Sequence, residues 1–140
     1  MLLLLTAQAG WCADASTHAE KLAKIQLPPG FKVHLFGDDV ADARQMALGD
    51  QGTVFVGSRK AGRVYGLVDT TGDYVADLKY RVAEDLSMPS GLEFKFGSLY
   101  VAALDRILRY DDIENWLDRP PEPEVVIDTL PDKTHHGWKY

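Results

Sequence analysis

From residue 31 onward the chain sets apolar against polar positions in runs of four to six, which is the pattern of short strands with one buried face. The runs cover 31–36, 45–48, 53–58, 63–68, 78–82, 91–94, 98–103, 106–110 and 124–127. Turn-forming residues separate them: Gly49-Asp50-Gln51-Gly52, Lys60-Ala61-Gly62, Thr71-Gly72-Asp73 and Phe96-Gly97. A helical period appears once in this part, over 112–118, where Ile113, Trp116 and Leu117 fall on one face and Asp112 stands at the N-cap position. Ahead of the strands, 16–25 is compatible with a short helix, and Leu27-Pro28-Pro29-Gly30 interrupts the chain.

Two stretches of the pattern copy each other. Gly52-Thr53-Val54-Phe55-Val56 superposes on Gly97-Ser98-Leu99-Tyr100-Val101 at a shift of 45. Arg63-Val64 matches Arg106-Ile107 at 43, and Met46-Ala47-Leu48 matches Leu92-Glu93-Phe94 at 46, the drift that differing loop lengths produce. A third unit opens where Gly137-Trp138 takes up Gly91-Leu92, again at 46. About four strands in a period in the mid-forties is the signature of a β-propeller blade, so the fold expected is all-β, with about two blades and the start of a third. The units begin Arg44-Gln45-Met46, Ser90-Gly91-Leu92 and His136-Gly137-Trp138, on strands expected to be innermost, with Met46, Leu48, Leu92 and Phe94 among their residues. A propeller needs at least four blades, so 140 residues read as a fragment that leaves open edges and uncovered faces.

Composition narrows the setting. The chain is 46% hydrophobic and 26% charged, with a formal net charge of -6 and no cluster of Lys or Arg, which argues against nucleic-acid or anionic-membrane partners. Residues 1–15 read as a signal peptide, with four leucines after Met1 and an Ala13-Asp14-Ala15 cleavage site, although no basic residue precedes the leucines. That implies a periplasmic or secreted protein without membrane insertion, since the apolar run is too short to span a bilayer. The one cysteine, Cys12, lies inside this segment, so the mature chain would carry no thiol and depend on its core. The domain division expected is signal peptide 1–15, linker 16–30 and strand-built domain 31–140.

Candidate chemistry centres on His135-His136 at the start of the third unit. An imidazole with a pKa of about 6.5 can accept a hydroxyl proton at neutral pH, which an alcohol or aldehyde oxidation requires. The plain alternative is a surface pair on a loop beside Asp132 and Lys133. Arg44 and Gln45 stand at the equivalent end of the first unit, where a guanidinium could hold a carboxylate or lie solvated on a rim. Asp69, Asp73 and Asp77 take positions 1, 5 and 9 of a calcium loop, but Thr71, Tyr74 and Tyr80 replace the other ligands and glycine, so a plain turn is the better reading. No metal site is assigned. Phe55, Tyr65, Phe94 and Tyr100 are read as packing between blades. Motifs for nicotinamide binding, serine hydrolysis and zinc are missing.

With Leu27-Pro28-Pro29-Gly30-Phe31-Lys32-Val33, Met46 through Gly57, Arg106 through Ile113 and His135-His136-Gly137-Trp138-Lys139 laid out, the chain resembles the glucose/sorbosone dehydrogenase family over about residues 25–140. The L-sorbosone dehydrogenase-like branch is the nearest match. The resemblance implies a complete protein with six blades that oxidises a sugar or related alcohol or aldehyde, with pyrroloquinoline quinone and calcium as cofactors. Electrons would pass to an acceptor such as a cytochrome or quinone. It also implies that His135 or His136 is the general base: spacing to Lys139 favours His135, and the inward register of the unit favours His136. Pro89-Ser90 stands where glucose-oxidising members carry a glutamine, and the quinone and calcium ligands would lie in later blades. A non-catalytic binding or scaffold propeller is the competing class. A lactonase-like hydrolase would need acidic residues at the unit starts, and these have none.

Overall fold

The computed structural model describes residues 15–133, and side chains from residue 18. The chain divides into two compact units between Leu35 and Phe36. In the first, α1 (Ala15–Leu22) ends in tight turns, with the amides of Lys24 and Ile25 donating to Lys21 and Leu22 carbonyls. Gly30 then takes a left-handed φ of 88°.

The alternation over 31–36 does not become a strand. Phe31, Val33 and Leu35 are exposed, and no ladder reaches them. Alternation stabilises a strand only where a partner edge and an apolar floor are at hand, and here the first contact of that kind comes at Phe36. Its carbonyl accepts the Ala76 amide at 2.7 Å, in the second unit.

That second unit is all-β. Eight strands form two antiparallel four-stranded sheets in sequential order: β1 (Ala43–Leu48), β2 (Val54–Ser58), β3 (Val64–Val68) and β4 (Leu78–Ala83) in sheet 1, and β5 (Gly91–Lys95), β6 (Ser98–Ala102), β7 (Ile107–Tyr110) and β8 (Glu124–Ile127) in sheet 2. Gly52 and Gly97, one repeat apart, both turn with a left-handed φ, of 90° and 78°, two residues and one residue before β2 and β6. Ser58 closes the β2–β3 turn by donating to Arg63 O at 2.7 Å and accepting Arg63 N–H at 2.8 Å.

Register fixes which side chains share a face. In sheet 1, Ala47, Phe55, Gly66 and Tyr80 line one face, and Met46, Val56, Tyr65 and Arg81 the other. In sheet 2, Leu92, Val101, Leu108 and Val125 line one face, and Glu93, Tyr100, Arg109 and Glu124 the other. The first face named of each sheet meets that of its neighbour: Phe55, Val64 and Val82 pack with Leu92, Leu99, Val101, Leu108 and Tyr110. The Phe55 and Phe94 rings stack at 5.7 Å. At Gly57 the packing is tight, because an added Cβ would lie 2.5 Å from the Pro89 carbonyl oxygen and 3.3 Å from Leu92 Cγ. On the outer side of sheet 1, Val56, Tyr65 and Leu67 form a second, smaller cluster with Phe36 and Val40.

The sheets therefore stack front to back. Shifted by 45, Phe55 on the inter-sheet side of sheet 1 becomes Tyr100 on the outer side of sheet 2, while Val54 and Val56 on the outer side of sheet 1 become the buried Leu99 and Val101. The copies present the same face in the same direction.

Between β7 and β8 the helical pattern over 112–118 shortens to one 3-10 turn, Ile113–Asn115. Asp112 sits at its N-cap with φ 52°, and its carboxylate accepts the Asn115 amide at 2.7 Å instead of capping a backbone N–H. Tertiary packing sets this geometry. Ile113 is fully buried in the inter-sheet core, Leu117 reaches to 3.2 Å of the Cβ position of Gly66, and Glu114 accepts the amides of Gln51 at 3.0 Å and Thr53 at 3.3 Å.

Candidate functional site

His135 and His136 lie outside the described residues. Arg44 and Gln45 are the second and third residues of β1, with Arg44 exposed and Gln45 half-buried. The Gln45 Oε1 atom is buried without a hydrogen-bond partner among the described residues. It borders a cleft of about 360 Å³ whose floor is Gly91, Ala102 and Ile107 and whose polar wall is Glu93 and Tyr100. Register explains this grouping, since Gly91, Ala102 and Ile107 are successive cross-strand partners, as are Glu93 and Tyr100 one step along. Phe55 is buried between the sheets and Phe94 packs on that core, as the sequence suggests, whereas Tyr65 is buried on the outer side of sheet 1 instead. Tyr100 instead lines the cleft, half-buried. The signal that could have found it is parity: one residue from buried Leu99 and Val101, it must point to the other face.

Next to the cleft the same outer face carries a charged row. Arg109 donates to Asp111 through two bonds of 2.7 and 3.1 Å and to Glu124 at 2.5 Å, and Ser98 Oγ donates to Asp111 at 2.8 Å. Arg109 first and Ser98 second hold the Asp111 carboxyl below its usual pKa. Two other clefts each contain an ion pair. One, of about 320 Å³, places Lys79 against Asp39 at 2.8 Å, with Arg63 and Arg81 beside them. The other, of about 460 Å³, holds Arg106 against Asp105 at 2.7 Å.

The Asp69 to Asp77 segment is a turn held by its own carboxylates. Asp69 accepts the amides of Thr71, Gly72 and Tyr74 at 3.0, 2.7 and 2.8 Å, and Asp77 accepts both the amide and the hydroxyl of Thr70 at 2.7 Å. Desolvation pushes the Asp69 pKa up, and the donors from Gly72, Tyr74 and Thr71 outweigh it, so the carboxyl titrates below its ordinary value. Among the described residues no group of three or more His, Cys, Asp or Glu side chains converges as a metal site. The described residues thus do not assemble a seat for calcium. Among the described residues no helix is long and apolar enough to cross a membrane.

No protein-family profile, curated protein or solved structure matches the chain.

Proposed function

We propose that the chain is the N-terminal part of a six-bladed β-propeller dehydrogenase of the glucose/sorbosone type. It would be exported to the periplasm and oxidise a sugar or related alcohol or aldehyde. The observation that carries the reading is the front-to-back stacking of two sheets related by a shift of 43 to 46 residues, because same-direction stacking can continue around an axis, whereas a sandwich apposes like faces. In this reading β1 and β5 are innermost, and the third unit brings His135-His136 to the channel end where Arg44-Gln45 and Ser90-Gly91 begin theirs. Pyrroloquinoline quinone would be the oxidant and calcium its partner, both held by later blades. The contribution of this chain is a proton acceptor, His135 or His136.

The test uses the complete reading frame, reconstituted with the quinone and calcium and assayed by dye reduction with aldoses, sorbosone and simple alcohols. One of His135→Ala and His136→Ala is expected to lower turnover by about 100-fold or more, the usual scale for a lost general base, with the circular dichroism unchanged. The other is expected to lose much less, since neighbours on a strand point to opposite sides. Near-normal rates in both variants would remove the histidines from the site. No dye reduction with any substrate by the unaltered protein would leave the non-catalytic binding propeller as the reading.

A further inference from the structure

Among the described residues, the cleft over Gly91, Ala102 and Ile107 leaves its polar groups without partners. We infer that it binds a small aliphatic amine, whose protonated nitrogen donates to Gln45 Oε1, the Glu93 carboxylate and the Tyr100 hydroxyl. The site uses only residues 45–107 and is independent of the dehydrogenase reading.

Pairing sets this cleft apart from the rest of the surface. Arg109, on the same face, is bonded to Asp111 and Glu124. Lys79 is held by Asp39 in one of the other clefts, and Arg106 by Asp105 in the next. The Glu93 carboxylate and the Tyr100 hydroxyl, in contrast, make no hydrogen bond or ion pair among the described residues. Gln45 Oε1 is out of water as well as unpaired. A buried acceptor in that state carries its full desolvation penalty until a donor reaches it.

Register brings these groups to one place. Glu93 and Tyr100 are direct cross-strand partners on the outer face of sheet 2, which sets their Cβ atoms ~5 Å apart. Gly91 and Ala102 pair two residues along, and their lack of bulk leaves the space open. Gln45 reaches the same space from β1, which packs beside β5.

The donor and acceptor set selects the ligand. An amide oxygen and a carboxylate only accept and a phenol can accept, so the cleft calls for donors. Arg109, the cross-strand partner of Tyr100, is already shared by two carboxylates, which together with Glu93 leave this face negative. A protonated primary amine brings three N–H donors and the matching charge, whereas an alcohol brings one donor and no charge. Ala102 and Ile107 floor the space for a short alkyl chain, and about 360 Å³ is at the small end of ligand pockets.

The experiment is amide NMR of the 140-residue chain titrated at neutral pH with butylamine, with butan-1-ol as its neutral counterpart and tetramethylammonium as a cation without donors. Butylamine is expected to shift the Gly91, Glu93 and Ala102 amides and the Gln45 side-chain amide, and to bind about tenfold more tightly than either of the others. Glu93→Gln, a change at an exposed position, is expected to weaken butylamine about tenfold. Saturation transfer to the butyl protons gives the same comparison where the chain associates. Equal binding of amine and alcohol overturns the site, and so do shifts confined to the Asp39 or Asp105 clefts. A stability reading needs no ligand: Gln45→Leu keeps the bulk without the orphaned acceptor and is expected to raise the urea midpoint while removing the butylamine shift at Gly91. A lowered midpoint, or butylamine shifts that survive this change undiminished, overturns the inference. A complete protein that binds butylamine yet reduces no dye loses the proposed activity and keeps this site, and the reverse result loses only the site.

Discussion

At Gly57 a hydrogen atom is all that stands between β2 and the Pro89 carbonyl, with 2.5 Å available to a Cβ. Gly57→Ala must therefore push backbone, not a flexible side chain, and is expected to cost about 1–3 kcal/mol, read as a lower urea midpoint. An unchanged midpoint would mean that the sheets separate freely at this point. The sequence makes Phe55, Leu99 and Val101 recognisable as core from alternation alone, but a glycine inside a strand reads only as a weakness until the register shows what lies over it. Charged residues carry a second prediction. Lys79 lowers the Asp39 pKa, Thr70 that of Asp77, Arg106 that of Asp105 and Arg109 that of Asp111, each from 3.8, and Asp69 is lowered by its amide donors. Depressed carboxyls stabilise the fold above their unfolded pKa and lose that contribution as pH falls through the folded one, so stability is expected to drop on acidification from pH 4 downward, checked by thermal scans. The Tyr110 phenol works at the other end: burial first, then Glu122, pushes it up to about 12 from 10.0. Its contribution is complete below pH 10 and declines toward pH 12.

Among elements, the β7–β8 connection joins the sheets more than it covers them. Glu114 holds the Gly49 to Gly52 turn of sheet 1 through the amides of Gln51 and Thr53, and Gln51 Nε2 donates to Asn115 Oδ1 at 3.2 Å. Glu114→Ala is expected to destabilise by about 1 kcal/mol and to raise hydrogen exchange at Gln51 and Thr53 selectively. Uniform exchange across both sheets would assign the loss to the core instead. The strands themselves were readable within a residue or two, since turn glycines and period-2 alternation act locally. The connection was readable only as an amphipathic stretch. Ile113 and Leu117 do face inward, but Trp116 stays 48% exposed, because a single 3-10 turn cannot put all three on one side. The run at 31–36 misled for the opposite reason: its alternation is genuine, and no partner edge meets it. The histidine pair was visible only through the repeat, and its geometry lies outside the described residues.

At the scale of the whole molecule, Met46 and Leu48 on the outer side of sheet 1 are 64% and 68% exposed, and Tyr100, Ala102 and Ile107 border an open cleft on the far side of sheet 2. With the apolar Met46 and Leu48 of β1 exposed at one end and the cleft over Gly91, Ala102 and Ile107 open at the other, residues 16–140 expressed alone are expected to be marginal and prone to associate. A cooperative thermal transition from a strictly monomeric sample would contradict this. The mode of association follows from the stacking direction. Because one end of the pair carries the face that the other end is built to receive, a two-fold pairing of like ends gains nothing. Copies are expected to join head to tail, with the outer face of one sheet 2 on the sheet 1 of the next. Contacts of that kind are heterologous: they run on into filaments unless the rotation at each joint closes them into a ring.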